Sequence, residues 1–270
     1  MNIDVCLEMV LTDLPYEKRI EQTAKAGFEL VEFWFHDATF GGPPGVAGKP
    51  KDAAAIRQAC EANGVGVNNM VVNAPDGSYG GAPVNADDFG RFIDRLHEVI
   101  EFCKSVGCCK AITCTGNIVP GLTREQMRAN LERTYARAAE IAAGNSFTLL
   151  LEPLNTHVDH PGYYLDSSGE GAEMVRVIGS PSFKLLFDIY HMQIMEGNII
   201  ANIEKNIDII GHFHAAGVPG RHELMNGELD YRQIVSRIDA LGYTGAFGLE
   251  YSPLLPDADS LRATKAYLSC

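Results

Sequence analysis

Lys184-Leu-Leu-Phe-Asp188 is a short apolar run closed by an acidic or imidazole side chain, and the same figure appears three more times. Thr148-Leu-Leu-Leu-Glu152 precedes it, and Ile210-Gly-His-Phe-His214 and Ala246-Phe-Gly-Leu-Glu250 follow. The closing residues stand 36, 26 and 36 positions apart, about one strand plus one helix each time. Runs this short and apolar read as strands covered on both faces, as in a parallel sheet with helical crossovers. An acidic side chain inside such a run is rarely buried without a partner. Four acidic or imidazole groups in equivalent places, with no matching row of Lys or Arg, predict a divalent cation held by Glu152, Asp188, His214 and Glu250.

Working outward, four more apolar runs precede these: Ile3 to Val10, Leu30 to Phe35, Val65 to Val72 and Lys110 to Cys114. With Thr148 to Leu154, Lys184 to Ile189, Ile209 to Ala215 and Ala246 to Tyr251, they make eight strands. Between them, Pro15 to Ala26, Pro50 to Asn63, Ala86 to Val106 and Asp230 to Leu241 have helical spacing, and each is followed by a glycine. Glycine just past a helix end is a stop signal with a conformational cause. Eight βα units imply a closed sheet, so the expectation for residues 1–270 is an α/β fold, one single-domain (β/α)8 TIM barrel. An open doubly wound sheet is the competitor. It would spread four strand mouths too widely to share one ion, and no GxGxxG follows a strand. Two connections, His36 to Lys49 and Asn73 to Asn85, exceed a tight turn and follow strands, as lids or subunit contacts do.

The formal charge of −13 opposes nucleic-acid binding, which depends on Lys and Arg meeting phosphates. No run approaches the roughly 18 apolar residues of a membrane span, and Met1 to Val5 lacks the features of a secretory signal. Seven scattered cysteines, without a CxxC, read as reduced thiols of a cytoplasmic protein. Three oxygen donors and one imidazole favour Mn²⁺, with Mg²⁺ and Co²⁺ as alternatives.

Near the ligands, His191 lies three residues past Asp188, in reach of substrate or as a cap of the following helix. Arg221 lies in the loop after His214, where its fork suits a carboxylate or a diol, or else pairs with Glu223. Trp34 would wall a pocket for a longer sugar. Lys110 and Lys184 open their strands, on the face opposite the loops, which argues against a Schiff-base aldolase.

Leu151-Glu-Pro-Leu-Asn155, His160-Pro-Gly-Tyr-Tyr-Leu165, Phe187-Asp-Ile-Tyr-His-Met-Gln193, Val218-Pro-Gly-Arg-His-Glu223 and Gly248-Leu-Glu-Tyr251 carry a resemblance. The chain resembles the xylose-isomerase-like barrels, and within them the hydroxypyruvate isomerase family, neighbouring the tagatose and psicose 3-epimerases. The resemblance implies proton transfer beside a carbonyl through a cis-enediolate, with Glu152 and Glu250 as catalytic carboxylates. It implies substrate contacts from His191, Arg221, Glu223, Trp34 and Asn155, and a homo-oligomer, dimer or tetramer. The partner would be a small keto acid or ketose, with hydroxypyruvate isomerised to tartronate semialdehyde, or a tagatose-, psicose- or ribulose-type ketose epimerised at carbon 3. A non-catalytic sugar-binding barrel and an apurinic endonuclease are remoter readings. His214 stands where hydroxypyruvate isomerases often carry Gln and the 3-epimerases carry His.

Overall fold

The computed structural model describes residues 2–35 and 51–269. The connection from His36 to Lys49 and the start of the second predicted helix at Pro50 lie outside them. Eight strands pair in sequence order and close on themselves: β1 (Asn2–Cys6), β2 (Leu30–Trp34), β3 (Gly66–Val71), β4 (Lys110–Thr113), β5 (Thr148–Leu151), β6 (Phe183–Asp188), β7 (Ile210–Ala215) and β8 (Ala246–Leu249). Every pairing is parallel, including β8 on β1. The expected barrel is present.

Around it among the described residues run α1 (Tyr16–Lys25), α2 (Ala53–Asn63), α3 (Phe89–Ser105), α4 (Arg124–Gly144), α5 (Ser168–Ile178), α6 (Ile189–Met195), α7 (Ile199–Asn206), α8 (Tyr231–Ala240) and α9 (Asp257–Leu268). The glycines after α1, α2, α3 and α8 adopt φ values of 91°, 65°, 75° and 79°, a region that a Cβ disfavours, so each ends its helix as the sequence indicated. The predicted helix from Ala86 begins as a 3-10 turn over Ala86–Asp88 before α3 takes over. None of these helices is long and apolar enough to cross a membrane.

The strands end earlier than their apolar runs. β1 stops at Cys6, although Leu7, Met9 and Val10 remain buried in the turn that follows. Hydropathy reports burial, and these residues are buried in a turn rather than a strand. As a result Glu152 and Glu250 sit one residue past β5 and β8, where the chain leaves the barrel. The connection from Asn73 to Asn85 is packed against the barrel rather than standing free. Asn73 donates to the carbonyls of Gly81 and Cys114, and Gly80, at φ 77°, passes so close that a Cβ would lie 2.9 Å from Asn73 Cβ and Arg95 Cγ.

The barrel wall and its helices share a large apolar core. The interior is different. Val71, Ile112, Leu150 and Leu186 form a small apolar cluster under Trp34, while Asp4, Glu32, Asn69 and His212 are buried polar groups. A half-polar interior is expensive unless its groups meet one another.

Candidate metal centre

The register of β6 on β7 sets Asp188 level with His214, and the β7 pairing sets His214 beside Gly248 of β8. Glu152 and Glu250 approach from the ends of β5 and β8, their backbone N–H groups still bonded to Thr113 and Ala215 of the neighbouring strands. One ligand atom from each of Glu152, Asp188, His214 and Glu250 lies within 4.8 Å of the other three. His214 Nδ1 is the hub, 3.3 Å from Glu152 Oε1, 3.5 Å from Glu250 Oε2 and 3.9 Å from Asp188 Oδ2. All four residues are at most 7% exposed.

This donor set fits a hard or borderline divalent ion. His214 Nδ1 is buried and without a hydrogen-bond partner, and three carboxylates face it out of water. Burial pushes Glu152 above the usual carboxylate range and Asp188 up to about 7. Burial acts on Glu250 in the same sense, but Arg221 and then His214 outweigh it and hold that carboxyl down. Three acidic groups in one dry pocket, served by one guanidinium and one imidazole, leave room for added positive charge.

Arg221 does not pair with Glu223. It reaches back over the mouth, donating through Nη2 to Glu250 Oε2 and through Nε to the Glu250 carbonyl at 3.4 Å, with its guanidinium 5.3 Å from the Tyr190 ring centre. His191 is fully buried, and Asp188, not His191, caps α6 by accepting from the His191 N–H at 2.9 Å. Its Nδ1 accepts from the backbone and side-chain amides of Asn155 at 3.2 and 2.6 Å, which assigns the ring proton to Nε2. That Nε2 lies 3.6 Å from Asp188 Oδ2 and has no hydrogen-bond partner. Trp34, half-buried at the end of β2, lies over the interior apolar cluster.

Two of the expected substrate contacts are put to other use. Asn155 spends its amide on Asp159 and His191 and its oxygen on the N–H groups of Val158 and Asp159, so it organises the β5 loop and orients His191. Glu223 Oε1 accepts from Leu254 N, Leu255 N and Ser260 Oγ, and Oε2 from Asn226, which ties the β7 and β8 loops together. Glu223→Ala should therefore lower stability by about 1–3 kcal/mol, because buried donors lose their acceptor. Thermal unfolding would report this as a fall in Tm. A variant with unchanged Tm and a raised KM would establish Glu223 as a substrate contact. Glu8 is likewise a joint: Tyr16, Trp34 N, Arg19 and Lys51 all converge on its carboxylate. His157 is exposed, whereas His160 sits 5.4 Å from the His191 ring.

A family model described as the xylose isomerase-like TIM barrel matches residues 20–268. The chain belongs to that family. It is 31% identical to 2-oxo-tetronate isomerase of Cupriavidus necator, over 97% of this chain and 96% of the relative. It is 27% identical to hydroxypyruvate isomerase of Escherichia coli, over 97% of each. Among solved structures, one titled AP endonuclease, family 2, from Brucella melitensis superposes with a TM-score of 0.86 at 27% identity, covering 99% of both chains. D-psicose 3-epimerase from Clostridium cellulolyticum H10, at 14% identity and a TM-score of 0.80 over 100% of this chain and 98% of its own, shares the fold. With full-length isomerase relatives and this site, the chain is an enzyme of the isomerase class.

Three site-building residues escaped the sequence reading. Glu32 and His212 stand beneath His214, Glu32 Oε1 being 2.9 Å from His214 Nε2 and Glu32 Oε2 3.1 Å from His212 Nε2. Both carried a usable signal: Glu32 is a carboxylate in an apolar run, and His212 shares the inward face of β7 with His214 by two-residue alternation. Asp159 accepts from Asn155 and Tyr190, with Arg221 Nη1 3.9 Å away, and nothing in its loop sequence indicates that position.

Proposed function

We propose that this family member isomerises a small 2-oxo-3-hydroxy acid, hydroxypyruvate to tartronate semialdehyde or a close homologue, with one divalent ion bound by Glu152, Asp188, His214 and Glu250. The observation that carries the reading is the pairing of two carboxylates, 3.3 and 3.5 Å from His214 Nδ1, with a guanidinium held over one of them. The relatives' names, a keto-acid isomerase in each case, support the substrate class. The donor set favours Mn²⁺, with Mg²⁺ and Co²⁺ as alternatives. When bound, such an ion supplies Lewis-acid polarisation of the substrate carbonyl and its neighbouring hydroxyl.

The chain's own groups then have distinct tasks. Arg221, with Nη2 and Nε on Glu250, offers Nη1 and its charge to the substrate carboxylate. One of Glu152 and Glu250 removes the proton from carbon 3, and a carboxylate returns it to carbon 2, while the hydroxyl proton passes from the carbon 3 oxygen to the carbon 2 oxygen. His191 Nε2–H, unpartnered and buried, donates to an oxygen as negative charge develops there. Trp34 closes the apolar side. The proposal extends to a cytoplasmic, single-domain homo-oligomer, dimer or tetramer, the compartment being supported by the free thiols among the described residues. Its charge of −13 sets it against nucleic acid and supports a small-molecule partner.

A second reading, 3-epimerisation of a ketose, returns the proton to the opposite face of the same carbon. His214 and the Trp34 wall favour it, and Arg221 disfavours it because a neutral ketose has no anion for the guanidinium. Proton NMR in D₂O with the Mn²⁺-loaded enzyme separates the two, using hydroxypyruvate, tagatose, psicose and ribulose. Interconversion of hydroxypyruvate and tartronate semialdehyde with deuterium uptake, abolished by EDTA and restored by Mn²⁺, is expected. Epimerised ketose with unreacted hydroxypyruvate would establish the second reading, and no exchange in any substrate would leave a sugar-binding barrel.

A further inference from the structure

Beneath the four-residue cluster the barrel interior continues as a polar column that the proposed chemistry leaves unused. His214 turns Nε2 away from the cluster, and Glu32 Oε1 meets it at 2.9 Å. Both residues are buried and neither atom has a hydrogen-bond partner, so each is the unsatisfied polar atom set against the other. The second oxygen of Glu32 is fixed by Asn69 Nδ2 at 2.7 Å and His212 Nε2 at 3.1 Å. β8 makes space for this meeting with Gly248. A Cβ there would lie 2.8 Å from His214 Cδ2 and 3.0 Å from both Glu32 Oε1 and His212 Nε2.

We propose that Glu32 is a positioning residue for the metal centre: it takes the Nε2–H of His214 and so holds the Nδ1 lone pair toward Glu152, Asp188 and Glu250. A neutral imidazole carries one N–H and one lone pair, and a metal needs the lone pair. A carboxylate on the far nitrogen selects that tautomer, fixes the ring's rotation and strengthens Nδ1 as a donor. Glu32, His212 and His214 also lie close enough to share an ion of their own. The Asn69 amide argues against this use, since it donates into Glu32 Oε2 where a cation would have to bind. This inference rests on the metal-centre reading above and adds a role that lies two strands from any ligand.

The test is calorimetric titration of Mn²⁺ into the metal-stripped full chain. It compares wild type, Glu32→Leu, Glu32→Gln, His214→Ala and the double variant Glu32→Leu/His214→Ala. Wild type should bind one ion. Glu32→Leu should bind it about 10–100-fold more weakly. Glu32→Gln should lose less, because its carbonyl still accepts the Nε2–H, and it keeps the test decisive if Glu32→Leu fails to fold. Adding Glu32→Leu to His214→Ala should change affinity little, because no ring remains to orient. In the Cd²⁺-loaded protein, nitrogen NMR should show His214 ligated at Nδ1 and protonated at Nε2 in wild type, and this pattern should be lost in Glu32→Leu. Unchanged affinity and an unchanged His214 pattern in both Glu32 variants would overturn the proposal. So would an equal loss in the His214→Ala background, or two ions in wild type falling to one in Glu32→Leu. If wild type takes up no Mn²⁺ at all, the metal centre falls together with it.

Discussion

Glu152→Gln is expected to lower kcat by about 10²–10⁴-fold, the range associated with removing a positioned proton-transfer group. The substitution is close to isosteric. Gln can still offer an oxygen to a cation, so Mn²⁺ binding should weaken without disappearing, while the amide cannot accept a proton from carbon. Folding should not suffer. Glu152 is buried beside Asp188 and Glu250, and burial already disfavours its charge, so the neutral amide relieves a crowded acidic pocket. The metal-free variant should therefore unfold at or above the wild-type Tm. Solvent-deuterium exchange into substrate should fall in parallel with turnover. A variant that turns over at wild-type rate would remove Glu152 from the chemistry and leave Glu250 to act alone.

Arg221→Ala is expected to raise KM for hydroxypyruvate by roughly 10–100-fold, the equivalent of one lost hydrogen bond to a charged group at about 1.5–3 kcal/mol. KM for a neutral ketose should move only a few-fold. Turnover should fall for both, because Glu250 loses the guanidinium that donates to it and offsets its burial. Arg221→Lys separates charge from shape: it keeps the cation and loses the planar fork, so its KM should fall between those of wild type and the Ala variant. Steady-state kinetics on the two substrate classes checks the assignment. An equal rise in KM for both would show that Arg221 does not read a carboxylate.

The sequence disclosed more of this site than of its surroundings, for a physical reason. Asp188 and His214 interrupt strands that are otherwise apolar, and Glu152 and Glu250 close such runs; a charge in that position is legible because burial makes it anomalous. Parallel pairing then converts equal strand ends into one mouth, so spatial proximity followed from topology. Strand limits were less legible, since Leu7, Leu154 and Tyr251 are as buried in loops as their neighbours are in strands. Asn155 and Glu223 show the opposite case. Closeness in sequence to a ligand says nothing about which way a loop side chain turns, and these two turn toward backbone N–H groups of their own loops and of the next. Arg221 could not be aimed from sequence either: its left-handed backbone, φ 58°, belongs to a loop whose path only the folded chain defines. Glu32 and His212 are legible by the same reasoning that points to the ligands, because strand parity carries the inward face on below the barrel rim.

On the proposed function, one cation is held jointly by Glu152, Asp188, His214 and Glu250. The most direct test is diffraction from crystals of the full chain soaked in Mn²⁺, with data collected on either side of the manganese absorption edge. One anomalous peak within bonding distance of a carboxylate oxygen from each acidic residue and of His214 Nδ1 is the predicted result. A map without a peak among these four side chains, from crystals in which they are ordered, would contradict it.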